Sequence, residues 1–332
     1  MISPKQPAIN QFNKRVLLVS IVIIVITTAI TFWAFAHAIK AETDVRYHSL
    51  QHLIADRMLK TLKETETNAK NVFDEVGKNL NSPSDVITAL KSKTSLAPDV
   101  RGYFAAFSPQ YFPEEGLWFE PYVHQTADSS EFVLTMVGSA RHDYFKSNWY
   151  TRALKSKEGF WADPYYYYDG TGISGHYTTF VEPVYDANGK LACVCGADIT
   201  FESLTKQTQK IDETYKSYPA FNNHHMMRNL EFFSVVIDKE GSYIVCPDNK
   251  KMPILDEEVL GEMQKNGWGT MDMTINDVPS KLYYGPVEGL DWTHIIVTSR
   301  NDNIKPILAV GIVLFFVTVL SIISVWCVCK KD

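Results

Sequence analysis

Apolar residues follow three different rhythms along this chain. Val16 to Ala36 is an unbroken apolar block without a charge, and Ile307 to Cys329 is a second. At 1.5 Å per residue each is long enough to cross about 30 Å of hydrocarbon. Membrane helices are therefore expected at 16–38 and 306–329, the second entered through Lys305-Pro306. A cleaved signal peptide competes for the first block, but its apolar region would be too long and no small-x-small site follows.

From Lys40 to Leu80 the pattern turns amphipathic. Val45, Leu50, Ile54, Met58, Leu62, Ala69, Val72, Val76 and Leu80 recur mostly three or four apart, with no proline among them. This predicts a long helix with a narrow apolar stripe, suited to pack on its own domain or on a twin helix. A short helix over Val86 to Lys91 is expected behind a Ser84-Asp85 cap.

The period then drops to two. Strands are expected at 101–107, 117–123 and 132–137. The runs HYTTFVEPVYD and KLACVCGADITF form a hairpin around Ala187-Asn188-Gly189, because Asn and Gly both accept positive φ. A second hairpin spans Phe232 to Pro247 and turns at Lys239-Glu240-Gly241. A helix near Leu255 to Lys265 and strands at 271–275, 281–287 and 292–298 complete the chain, while 211–230 reads as looser.

Composition changes this picture little. A net charge of −6 with 21% charged residues offers no basic field, so nucleic acid is not an expected partner. Lys5, Lys14 and Arg15 before the first block, and Lys330 and Lys331 after the second, place both ends in the cytoplasm and residues 40–303 outside it. The five cysteines include no CxxC pair. Cys193 and Cys195 point the same way on one strand and are poorly placed to bond each other. A disulfide from Cys246 to either stays open in an oxidising compartment.

The chain lacks GxSxG, HExxH and P-loop motifs, and no paired-cysteine zinc pattern occurs, so it is not read as an enzyme. His48, His52 and Asp56 share a helix face, and His224-His225 stand together in a loop. Both groups read as solvated polar positions, and no metal or cofactor is expected. Asp198 is different. It closes a strand of small and apolar residues, where a charge needs a ligand cation or local hydrogen-bond donors. Upstream lie Trp149, Tyr150, Phe160, Trp161 and Tyr165 to Tyr168.

One order of parts is distinctive: Trp149-Tyr150, Trp161 with Pro164-Tyr165, Glu182-Pro183-Val184-Tyr185-Asp186, the Asn-Gly turn, then Gly196-Ala197-Asp198-Ile199 before a helix. It resembles the membrane-distal half of a double Cache (dCache) sensor domain of bacterial transmembrane receptors. The later hairpin, helix, Gly267-Trp268-Gly269 and two strands closing on Trp292 are similar to the membrane-proximal half. The resemblance implies an α+β fold: a long N-terminal helix (40–80) and two tandem PAS-like antiparallel-sheet subdomains, about 84–204 and 230–300, flanked by two transmembrane helices. Residues 1–15 and 330–332 would be the cytoplasmic ends.

In amino-acid-binding members, a Tyr, an Arg two before the Trp-Tyr, a later Tyr and the Asp hold the ligand's carboxylate and ammonium groups. Trp149, Tyr150, Tyr165 and Asp198 match, but the Arg position is Ser147 and the first Tyr is His142. Lys146 or Arg141 could replace the Arg only if directed inward, and on a strand Lys146 would face away from Ser147. Without that clamp, the resemblance implies an amine-bearing or neutral small ligand held by Asp198, Trp149, Tyr150, Tyr165 and Tyr177. It further implies a parallel homodimer and a cytoplasmic output, carried by a longer receptor (histidine kinase, phosphatase or chemoreceptor) or by a separate partner. The alternative is a structural or docking Cache protein without a ligand.

Overall fold

A computed structural model describes residues 6–92, 100–126, 131–168, 173–217, 231–247, 250 and 252–331. The first membrane block and the amphipathic stretch are one helix, α1 (Gln6–Lys78, 73 residues). No Gly or Pro occurs between Pro7 and Gly77, so nothing in the sequence interrupts it. Its lower stripe is buried from Leu50 through Val76, but Val45 is 66% exposed, and Leu80 lies beyond the helix end. Asp85 donates its backbone N–H to Ser82 Oγ at the start of α2 (Pro83–Ser92), so the cap is Ser82 rather than Ser84.

The first half of the body between the two apolar helices is a seven-stranded antiparallel sheet. Its strands are β1 (Gly102–Phe107), β2 (Pro121–Gln125), β3 (Phe132–Met136), β4 (Phe160–Trp161), β5 (Tyr165–Tyr168), β6 (Ser174–Tyr185) and β7 (Leu191–Thr200), ordered β3-β2-β1-β7-β6-β4, with β5 also on β6. The strand expected at 117–123 begins four residues later. Alternation on central β1 divides the two cores. Tyr103, Ala105 and Phe107 face the core that includes Val72, Phe73 and Val76 of α1. Phe104 and Ala106 face the other core, with Tyr122, Tyr144, Trp149 and Val194. Residues Asn148–Ala153 form helix α3, which together with β5 covers that second face.

The Asn-Gly hairpin closes differently from its expected form. Only Gly189 has a positive φ (76°); Asp186 Oδ1 accepts the N–H groups of Asn188 and Lys190, both at 2.9 Å. Asp238 repeats this arrangement, accepting from Glu240 and Ser242 above Gly241 at φ 85°. The same five-residue device thus turns a hairpin in each half.

From β7 the chain runs through α4 (Phe201–Ser217) into a second antiparallel sheet. It comprises β8 (Phe232–Ile237), β9 (Tyr243–Val245), β10 (Gly269–Ile275), β11 (Val278–Val287) and β12 (Trp292–Ser299), ordered β10-β11-β12-β8-β9, with helix α5 over Glu257–Asn266. The tight turn between β10 and β11 carries Asn276 and Asp277 at φ 50° and 63°, a two-residue hairpin turn. His48 and His52 rest on rings of this half: His48 edge-on to Tyr283, His52 stacked on Trp268. His224 and His225 lie outside the described residues.

Helix α6 (Arg300–Lys331) follows β12 directly and contains Pro306. It packs along the apolar part of α1, where Thr28 and Thr318 share a hydrogen bond of 3.0 Å. A Cβ on Gly311 would sit 3.1 Å from Phe32 Cε2, so its absence lets the helices approach. Both helices are long and apolar enough to cross a membrane. All five cysteines are free; Cys193 and Cys195 are buried with their sulfurs 3.7 Å apart, and Cys246 follows β9 in the other half.

Candidate functional site

Asp198 stands on β7 between Gly102 of β1 and Thr179 of β6, its direct cross-strand neighbours. Asp198 is 7% exposed. Thr179 donates to Asp198 Oδ1 at 2.5 Å, and the Tyr165 hydroxyl reaches the same oxygen at 3.3 Å while pairing with Thr179 Oγ1 at 2.9 Å. Tyr122 faces this carboxylate too, but its hydroxyl completes no hydrogen bond. Burial pushes the Asp198 carboxyl up to about 6, against the pull of the three hydroxyls and His142. Burial and the neighbouring carboxylate raise Tyr122 and Tyr165, so both remain neutral donors.

Glycine makes the room. A Cβ on Gly196 would lie 2.1 Å from Phe104 Cζ, and one on Gly102 would lie 2.5 Å from His124 Cβ. The tip of the Phe104 ring therefore occupies the space over Gly196, and Tyr122 closes over Gly102.

Above this floor is a cavity lined by Phe104, Glu120, Tyr122, Val137, His142, Trp149, Tyr165, Tyr167, Ile173, Tyr177 and Asp198. It leaves about 30 Å³ for the centres of water-sized molecules, enough for one or two waters. A cleft of about 330 Å³ on the same measure lies against it. His142, Trp149, Tyr165 and Tyr167 belong to both walls and form the partition between them.

Of the five residues named from the sequence, the structure brings Trp149, Tyr165, Tyr177 and Asp198 into this one cavity. Tyr150 does not join them. It follows Trp149 on α3, where successive side chains diverge by about 100°, and it packs against Tyr144 and Phe145. Strand geometry also fails at Lys146, because residues 144–146 form a 3-10 turn. Its side chain is exposed and paired with Asp143 at 2.8 Å, and neither it nor Arg141 lines the cavity.

Glu120 was not singled out, yet it is 3% exposed and lines the cavity. Its carboxyl is raised by burial, and further by Asp198, while His142 lowers it. His142 Nε2 stands 3.4 Å from Glu120 Oε2, but that oxygen makes no hydrogen bond. The available signal was a carboxylate inside the aromatic run Trp118-Phe119-Glu120-Pro121-Tyr122, the same criterion that selects Asp198. Among the described residues the lining thus contains two carboxylates and one imidazole, with no Lys or Arg.

Residues 86–206 match the family described as methyl-accepting chemotaxis protein-like, first PDC sensor domain. Solved structures share the fold of the outer body. "Methyl-accepting Chemotaxis protein X" is 17% identical, covering 78% of this chain and 96% of its own, with a TM-score of 0.59. The extracellular domain of the putative histidine kinase soHK1S-Z6 is 19% identical over 75% and 91%, at 0.56. The ligand-binding domain of the Pseudomonas fluorescens chemoreceptor CtaA, in complex with L-isoleucine, is 14% identical over 80% and 96%, at 0.54. No curated protein sequence matches the chain. The outer body therefore has the double Cache-type fold of chemoreceptor and histidine kinase sensor domains.

Proposed function

We propose that the chain is a two-pass membrane receptor whose membrane-distal cavity binds a small cationic amine lacking a carboxylate. One observation carries this reading: two buried carboxylates, Asp198 and Glu120, converge on an aromatic cavity whose lining, among the described residues, offers no guanidinium or ammonium. An amino acid's carboxylate would be repelled there. An ammonium gains Asp198 as counter-ion and the ring faces of Trp149, Tyr165 and Tyr177, with cation–π contacts of about 0.5–2 kcal/mol.

Filling the cavity moves its partition and loads β6 and β7. Both strands touch the signalling elements. Phe180 of β6 stacks with Phe73 of α1 at 6.3 Å, and Lys70 of α1 lies 3.9 Å from Glu182. Strand β7 continues into α4, whose Thr208 contacts Met58 of α1. On the same helix Asp212 accepts the Ser234 N–H at 2.8 Å and its hydroxyl at 2.6 Å, tying α4 to the second sheet. Ligand that favours one arrangement of these strands shifts α1, which runs unbroken to the membrane span. A cytoplasmic partner or output segment reads the shift.

Thermal unfolding of the full chain in detergent, with a panel of small molecules, tests the reading. Tetramethylammonium, n-butylamine and 1,4-diaminobutane are the amines; L-isoleucine and L-glutamine are the amino acids. At least one amine is expected to raise the Tm while the amino acids leave it unchanged. Amine affinity should rise about tenfold from pH 5 to pH 7, because a carboxyl titrating at about 6 is one-tenth ionised at the lower pH. Stabilisation by the amino acids, or an affinity that falls with pH, contradicts the proposal.

A further inference from the structure

Contacts between α1 and the second sheet fix the direction of β11. Asp44 accepts from Lys281 Nζ and from the Tyr283 hydroxyl, and Tyr47 and His48 pack on the Tyr283 ring. Further along, His52 stacks on Trp268, whose ring occupies the space over Gly285. From 281 to 285 the strand advances about 13 Å, and from 44 to 52 the helix advances about 12 Å. Strand and helix therefore run side by side in the same direction, so each residue of β11 has a height on α1. Val278 stands three residues before Lys281, about 10 Å lower. At 1.5 Å per residue that is the level of about residue 37 of α1, where the apolar block Val16 to Ala36 has just ended.

The other helix gives nearly the same height. Ser280 pairs with Ser299, and α6 begins at the next residue, Arg300. Val278 lies about 7 Å past that pair along the strand, level with about residue 304 of α6. Asp277, one step further, reaches the level of Pro306, where the second apolar block is entered. Asn276, Asp277, Val278 and Pro279 are all exposed, Val278 by 43%. A valine and a proline thus stand open at the tip of a tight turn, at the height where both helices become apolar. The polar layer on each side of a bilayer is about 5–7 Å thick, so a turn at this height lies within it.

We propose that the β10–β11 turn is a lipid-contacting foot, with Val278 and Pro279 seated in the headgroup layer and Asp277 facing the ammonium of a zwitterionic phospholipid. This rests on the two-pass reading of the chain and is independent of the amine reading of the cavity. The foot matters because of what β11 holds. Lys281 and Tyr283, just above the turn, grip Asp44 where α1 leaves its apolar block. A sheet edge held by lipid gives α1 a fixed neighbour to move against at the membrane surface.

Fluorescence quenching of the full chain in dioleoylphosphatidylcholine vesicles tests this. Cys246→Ser, Cys327→Ala and Cys329→Ala leave only the buried Cys193 and Cys195, and a single new cysteine then carries a nitrobenzoxadiazole label. Asp277→Cys, Thr274→Cys and Asp272→Cys place the label at exposed positions climbing β10 away from the turn, in steps of about 10 and 7 Å. A nitroxide on the lipid headgroup should quench the three in that order, with about a threefold fall over a climb that exceeds the thickness of the polar layer. Such a gradient is not imitated by a label with its own affinity for lipid or by a misfolded protein. Leu117→Cys, exposed in the first half of the body, should be quenched least, and Val313→Cys, exposed on α6, should be quenched by a nitroxide on the acyl chain. Equal quenching at 277, 274 and 272, or a 277 label no more quenched than one at 117, overturns the inference and leaves the two-pass reading standing. If the 313 label escapes the acyl-chain nitroxide, the two-pass reading falls and this inference with it.

Discussion

Asp198→Asn is expected to abolish amine binding and at the same time to stabilise the empty receptor. Removing one partner of a buried charge pair costs about 2–5 kcal/mol, which is roughly a 30- to 3,000-fold loss of affinity at 1.4 kcal/mol per decade. The stability change has the opposite sign. The Asp198 carboxyl titrates at about 6 in the folded protein and near 3.9 in an unfolded chain. A carboxyl raised in this way binds its proton more tightly when folded. Its contribution is therefore fully present below about pH 4, declines as the pH rises, and is lost above about 6. At pH 7 the ionised group costs the empty fold about 3 kcal/mol, and asparagine, which can still accept from Thr179, removes most of that. Thermal unfolding at pH 7 should show a higher Tm for Asp198→Asn, and the gap should close at pH 4. Calorimetric titration of the same samples should show the lost binding. A variant that binds as before, or one that is less stable at pH 7, contradicts the assignment of Asp198.

Gly196→Val carries the largest expected effect on folding. The new Cβ would lie 2.1 Å from Phe104 Cζ and 2.3 Å from Cε1, inside a strand whose neighbours on both sides are paired. Phe104 is 5% exposed and forms part of the cavity floor. Overpacking of this kind costs about 1–3 kcal/mol, or a Tm lower by roughly 2–12 °C in a body of this size. The displaced ring should also fill the cavity, so that residual folded protein no longer binds amines. An unchanged Tm would mean that Phe104 has room to turn aside, and that the floor is softer than its contacts indicate.

Much of this architecture is legible in the sequence because it follows from periodicity. The apolar blocks, the stripe on α1 and the alternation in β6 and β7 each have one physical solution. Asp198 was legible for a related reason: a charge among Gly196, Ala197 and Ile199 has to be explained. The errors fall where local conformation overrides pattern. A period-2 reading at residues 146–147 puts Lys146 on a strand face, and the resemblance puts Tyr150 beside Trp149 at the ligand, whereas a 3-10 turn and α3 stand there. That change sends Tyr150 into the core and Lys146 to the solvent. Helix α1 was divided at the membrane because the hydropathy changes there, although its backbone has no reason to stop. Glu120 was missed because its meaning depends on pairing. Only the register of β2 on β1 brings it to the floor that Asp198 shares.

The central claim is that a small cation seats against Asp198 inside the membrane-distal cavity, and a structure of the protein bound to an amine tests it most directly. The amine nitrogen is predicted within about 3.2 Å of an Asp198 carboxylate oxygen, with Trp149 and Tyr165 moved apart to admit it. An amine found only elsewhere, with the cavity still closed around Asp198, would contradict the account.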